Sequence, residues 1–217
     1  MDPVGEVLAR SAVVSISATL VALAIGVPLG TALALARLPG RRPAAAVVNT
    51  GMAVPTVVVG LVVASLLWRS GPLGGLNLIY TLRGMVIAQV LIATPLIAGI
   101  TMAALQALPA DLHDQLIGLG ASRRQAVVRL WLEARVPLLA AAMAGFGHAV
   151  SEVGAATMVG GNIHGQTQVM TTAIVEGVGR GDFGAAAAYA AVLLALAFVI
   201  NALLTSVQQR SSSWARP

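Results

Sequence analysis

Polar and apolar positions segregate along this chain on the scale of whole helices. Uncharged runs fill residues 11–36, 43–68, 84–110 and 183–209, and a fifth apolar run, 136–159, carries one acid, Glu152. Crossing the hydrocarbon core takes about 20 mainly apolar residues in a helix. The pattern therefore predicts an all-α, polytopic membrane protein with five transmembrane helices in a single domain, residues 1–217, with its core at about 10–208. Pro28 is a place for a kink in the first span, and Pro55 and Pro95 fall inside the second and third. The first run is no signal peptide: Asp2 and Glu6 offset Arg10 ahead of it, it far exceeds an h-region, and more spans follow.

The segments between the spans differ from one another. Residues 37–43 (RLPGRRP) form a short arginine-rich loop. Residues 69–83 are glycine-rich and bracketed by arginines, which fits a loop with a shallow, partly helical section. Residues 160–184 are a Gly-, Thr- and Asn-rich connector whose centre, 167–178, suits a short helix near the surface. The tail from 210 is polar and expected to fray.

The exception to the apolar pattern is residues 111–135, DLHDQLIGLGASRRQAVVRLWLEAR, with three acids and four arginines. Asp111 after Pro109 suits a helix start. Leu112, Leu116 and Leu119 recur at helical spacing, Gly118 and Gly120 permit a tight turn, and Arg123 and Arg124 open a second segment through Val127, Val128 and Leu130. The stretch reads as helix, glycine turn, helix. An ordinary amphipathic loop at the membrane interface has the same pattern.

Composition agrees with a membrane protein. The chain is 58% hydrophobic and 10% charged, against about 25% charged in soluble domains, and its mean hydropathy is +0.88. All thirteen basic residues are arginine, scattered among apolar spans, which argues against nucleic-acid binding. There is no cysteine, and His113, His148 and His164 are too far apart in sequence to read as a metal cluster. With the N-terminus outside, the inner segments hold nine arginines (37, 41, 42, 123, 124, 129, 135, 210, 216) and the outer ones four (10, 69, 83, 180). The positive-inside rule thus favours N-out and C-in, with residues 111–135 in the cytoplasm. No lysine means no P-loop, so no nucleotide site and no cofactor are expected on this chain.

Glu152 is costly inside a membrane, about 2.5–3.5 kcal/mol on insertion scales. It is read as a gate or packing residue paired with His148 or protonated, or as an interface acid satisfied by backbone or Ser151. The glycines and hydroxyls beyond it either end the span or, with Asn162, Thr167, Thr171 and Thr172, offer neutral donors at a pathway mouth.

These residues carry a resemblance. DQLIGLGAS, with Asp114, Gln115 and Leu116 in place of the usual Glu-Ala-Ala and Gly120-Ala121-Ser122 following, resembles the EAA loop of type I ABC importer permeases. IGVPLG (25–30), MAVPTVVVGL (52–61), GPLG (71–74), AQVLIATP (88–95) and SEVGAATMVGGNIHGQTQVMTTAI (151–174) occur in the order of oxyanion permeases. EAR at 133–135 and GDF at 181–183 make the chain most similar to the tungstate type, with the molybdate type next.

The resemblance implies an oxyanion import permease in a bacterial or archaeal cell membrane. It would act as a homodimer with an ABC ATPase subunit that hydrolyses the ATP and an extracytoplasmic solute-binding protein. It implies ATPase contact through Asp111, Asp114, Gln115, Gly118, Gly120, Ala121, Ser122 and Arg123. It implies a pathway or gate at Ser151, Glu152, Gly154, Asn162, Thr167, Thr171 and Thr172. An ATP-independent channel or carrier is the alternative of another class, and an intramembrane enzyme would rest only on Glu152 and the scattered histidines.

Overall fold

The computed structural model describes residues 3–35 and 40–213, the last four as backbone only. Among the described residues there are ten α-helices, one 3-10 turn and no strand. The predicted tail beyond 213 and the start of the first loop (residues 37–39) lie outside the described residues. Three helices are long and apolar enough to cross a membrane unaided: α1 (Val4–Leu35), α4 (Leu82–Gln106) and α10 (Phe183–Ser213, apolar as far as Gln209).

α1 and α4 form the central pair, and small residues let their backbones approach closely. A Cβ on Gly26 would come within 2.9 Å of Ile97 Cγ2, and one on Gly30 would strike the Ala98 carbonyl. Both helices run on through their prolines, Pro28 and Pro95. The buried hydroxyls of Ser11, Thr19 and Thr31 on α1 turn back on their own helix, as Thr19 Oγ1 does in donating to the Ser15 carbonyl at 2.7 Å. Such a bond satisfies a polar group that has no water to turn to.

The second and fourth spans depart from the expectation of straight helices. Residues 43–68 divide into α2 (Arg41–Ala53) and α3 (Thr56–Leu67), inclined at 101°. The physical cause is local. Val54, ahead of Pro55, is held in the extended region with ψ 130°, where the proline ring forces it. Residues 136–159 divide into α7 (Arg135–Val150) and α8 (Gly154–Gly160), bent by 56° across Ser151, Glu152 and Val153. Five spans are obtained only when each bent pair is taken as one.

The two bent pairs interlock. A Cβ on Gly60 of α3 would lie 2.6 Å from Ala155 Cα of α8, and one on Gly154 would lie 2.7 Å from Val57 Cγ2. Val63, Leu67, Ala88, Ile92, Ala155 and Val159 complete this contact as one buried cluster between α3, α4 and α8. Residues 69–81 return through the 3-10 turn Gly74–Leu76, and the Tyr80 amide closes on the Val159 carbonyl at 2.8 Å.

α5 (Leu112–Gly118) and α6 (Arg123–Glu133) sit at one end of the bundle, and α9 (Met170–Gly179) at the other. The α9 end is tied to α1 where Ser11 Oγ accepts from the Met170 amide at 2.7 Å. The helix of the connector thus starts at Met170, three residues later than expected, while α10 continues past 209 to Ser213. α10 turns Leu194, Phe198 and Leu203 outward, an apolar face suited to lipid or to another membrane helix.

Candidate functional sites at the polar tip and the helix breaks

The polar island folds as the helix–turn–helix that its pattern predicts. α5 opens after Asp111, whose carboxylate accepts from Gln115 Nε2 one turn on. It ends after Gly118 because Gly120 adopts φ +89°, a left-handed conformation that glycine takes without Cβ strain. The Gly120 amide reaches the Ile117 carbonyl at 2.9 Å and the Ala121 amide reaches Leu116 at 3.0 Å, a Schellman-type closure. Ser122 then caps α6 through a reciprocal box, Ser122 N to Gln125 Oε1 at 2.8 Å and Gln125 N to Ser122 Oγ at 3.4 Å.

This unit is anchored on one face and open on the other. Leu112, Leu116 and Trp131 pack on buried Leu105, Leu130 and Ala134, and Trp131 Nε1 donates to Thr31 Oγ1 of α1 at 2.8 Å. Leu119 does not share that face, as its spacing predicted. The glycine turn carries it out to the tip, 87% exposed between Gly118 and Gly120. Asp114 lies beside His113 at 3.2 Å on α5, and the cations Arg123 and Arg124 open α6 just after the turn. Two cations in the first turn of α6 oppose its dipole. An anchored unit with an exposed apolar tip, between two charged helix starts in sequence, has the features of a docking element.

Glu152 is built into the second break rather than into a helix. Its Oε1 accepts the Ala155 amide at 2.8 Å, capping α8, and its carbonyl accepts from Thr171 Oγ1 at 2.8 Å. It is 6% exposed and makes no pair with His148, contrary to that part of the sequence expectation. Ser151 Oγ closes α7 by donating to the Gly147 carbonyl at 2.8 Å. Gly154 is the contact point with Val57 described above.

Beside the two breaks lies a cavity of about 150 Å³ lined by Gly51, Met52, Val54, Val59, Ile92, Leu96 and His148.

The residues beyond the break are locked to the backbone. Thr167 Oγ1 donates to the Gly160 carbonyl at 2.5 Å, and Thr172 Oγ1 to Val169 at 3.0 Å. Thr171 is committed to Glu152. Each of these hydroxyls has spent its one proton in holding the connector. Asn162, at φ 48°, belongs to a cluster that the sequence reading missed, centred on Glu176. The Glu176 carboxylate takes Asn162 Nδ2 at 2.9 Å, Gln168 Nε2 at 2.6 Å, His164 Nε2 at 2.9 Å and the Arg180 guanidinium at 2.5 Å. Burial works against its ionisation, but the hydrogen bonds from His164 and Asn162 and the charges of His164 and Arg180 outweigh it and hold its carboxyl below the ordinary 4.5. The signal in the sequence was an acid on a short helix surrounded by Asn, His, Gln and Arg within twenty residues.

Replacing Glu176 by alanine strands one buried amide donor, Gln168, and one half-buried, Asn162, at a cost of about 1–3 kcal/mol. The expected result is a lower Tm in detergent and faster proteolysis between Gly161 and Gln166, both compared with the parent. The sign of the pH effect follows from the lowered carboxyl: its stabilisation is complete above pH 4.5, the unfolded value, and is lost as pH falls below that through the folded value. The alanine variant is expected to lack this acid-side loss in a Tm series.

Three comparisons place this architecture. The chain superposes on a chain of the MetNI methionine ABC transporter, solved in inward-facing conformations, with a TM-score of 0.73, 19% identity and 93% coverage of each chain. At that identity the likeness is one of fold: a type I ABC importer permease. The sequence matches the family described as binding-protein-dependent transport system inner membrane component over residues 26–213, and the chain belongs to it.

Among its relatives are a probable anion ABC transporter permease protein of Haloferax volcanii, 35% identical and covering 95% of this chain and 91% of that one. The tungstate uptake system permease protein TupB of Peptoclostridium acidaminophilum is 38% identical, with coverage of 96% and 92%. The sulfate transport system permease protein CysT of Escherichia coli K12 is 29% identical, with coverage of 80% and 65%.

Proposed function

We propose that this permease subunit imports an oxyanion, tungstate before molybdate or sulfate, in an ATP-driven complex. The observation that carries the substrate is the 38% identity to a tungstate uptake permease across nearly the whole of both chains. Sulfate is the second reading, on the more distant CysT relatives.

The fold and the charges support the remaining parts of the proposal. The arginine distribution favours the N-terminus outside and the α5–α6 unit in the cytoplasm. There the Leu119 tip, with Asp111, Asp114, Gln115, Ala121, Ser122 and Arg123 around it, docks on a separate ABC ATPase, which binds the ATP; this chain holds no cofactor. Closure of the ATPase pair pushes α5–α6, and the push passes through Leu105, Leu130 and the Trp131–Thr31 bond into α1 and α4. A second copy of the chain completes the pathway in the bilayer of the cell membrane, and an external solute-binding protein delivers the anion to the connector end.

A P-loop ATPase is expected to co-purify with the detergent-solubilised, tagged chain and to be lost when Leu119 is replaced by aspartate. A chain that transports without any such subunit is a channel or secondary carrier instead.

A further inference from the structure

We propose that His148 and the cavity beside it form a transit site for the oxyanion within the membrane; this rests on the oxyanion-import reading above. Cavity and breaks coincide. Its walls come from the last turn of α2, the first turn of α3, the middle of α4 and the last turn of α7, so it borders both interruptions of the helical ladder. Helix breaks at membrane depth are tolerated where the freed backbone is buried in protein or lines a cavity. At α3 the Thr56 and Val57 amides precede the first turn's hydrogen bonds, which begin with the Val58 and Val59 amides on the Pro55 carbonyl.

The volume, about 150 Å³, is the room of about five waters at ~30 Å³ each, sufficient for one tetrahedral oxyanion that keeps a little water. Six of the seven lining residues are apolar or glycine. His148 is the one titratable side chain among them. From α2 the cavity is faced by Gly51, Met52 and Val54, from α3 by Val59, and from α4 by Ile92 and Leu96, none of which carries a charge. The nearest acid in sequence, Glu152, has its Oε1 engaged by the Ala155 amide and is buried, so it caps α8.

A cavity with apolar side chains, exposed polar backbone at the breaks and one imidazole suits a site that must hold an anion briefly and release it. A permanent cation at this depth would trap a dianion. An imidazole offers an N–H donor to the anion's oxygens without a permanent charge. His148 also sits one turn from the break at Ser151, whose hydroxyl lies 3.2 Å from the His148 carbonyl, so bending there moves the imidazole.

The test uses the full complex with its ATPase and binding protein in proteoliposomes. Tungstate moved per ATP hydrolysed is measured for the parent, His148→Leu, His148→Gln and His148→Arg. Loss of the donor in His148→Leu is expected to lower the ratio about fivefold or more. His148→Gln, which keeps a neutral N–H donor, is expected to retain most of it, and His148→Arg is expected to lower it by holding the anion. A His148→Leu complex with the parent's ratio overturns the proposal. Should that variant not assemble, Leu96→Phe, which fills the cavity from α4, is measured instead, and the parent's ratio in it overturns the proposal alone. A parent complex that moves no tungstate under any condition defeats the import reading, and the transit site with it.

Discussion

Replacing Gly120 by proline is expected to reduce ATP-driven uptake to background while the chain still inserts in the membrane. Gly120 holds φ +89°, and proline is confined near −65°. The substitution also removes the amide that reaches the Ile117 carbonyl at 2.9 Å. Together these cost about 3 kcal/mol or more at the turn. Nothing lies within 4 Å of a Cβ built at this position, so the damage comes from the backbone and not from a clash. The spans pack on one another elsewhere, chiefly α1 on α4, and do not depend on this turn. Gly120→Ala serves as the graded comparison, since a left-handed L-residue costs only about 1–2 kcal/mol. Uptake, ATPase co-purification and membrane content are measured side by side. Parent-level uptake in Gly120→Pro would mean that the α5–α6 unit is not the drive point.

Gly60→Leu is expected to have an effect of similar size for a different reason. The new Cβ would stand 2.6 Å from Ala155 Cα, a backbone atom that moves only if α8 moves. Overpacking of this kind costs about 1–3 kcal/mol in a well-packed interior. Here it also forces apart the two half-helices that follow the breaks. The expected outcome is a Tm several degrees lower in detergent and loss of most uptake even at temperatures where the protein remains folded. Gly75→Ala, with nothing within 4 Å of its Cβ, is the neutral control. If Gly60→Leu transports like the parent, the interlock of α3 with α8 has no part in transport.

The spans and the polar tip were legible because each is a property of a contiguous segment: an uncharged run long enough to cross, or charge and glycine confined to one stretch. The breaks were not. Pro28, Pro55 and Pro95 all sit in apolar runs, yet only Pro55 interrupts its helix. Local sequence does not separate them, because whether a proline is absorbed depends on neighbouring helices. α1 and α4 are packed together along Gly26, Gly30, Ile97 and Ala98, while α2 and α3 meet different partners on either side of Val54.

Glu152 stood out in the sequence as an acid in an apolar run, but its partner proved to be the Ala155 amide, available only once the helix had broken. The Glu176 cluster escaped because its members, 162, 164, 168 and 180, acquire meaning together only when the connector folds onto α9. Leu119 shared a helical spacing with Leu112 and Leu116, and the left-handed turn at Gly120, not the spacing, decided that it faces outward.

The most direct test of the central claim is uptake of labelled tungstate by proteoliposomes containing this chain and its ATPase, with the binding protein supplied outside. The account predicts accumulation that requires ATP inside the vesicle accessible to the ATPase, requires the loaded binding protein, and ceases with the Gly120→Pro chain. No accumulation in the presence of a binding protein competent for tungstate, or accumulation that proceeds equally without ATP, would contradict it.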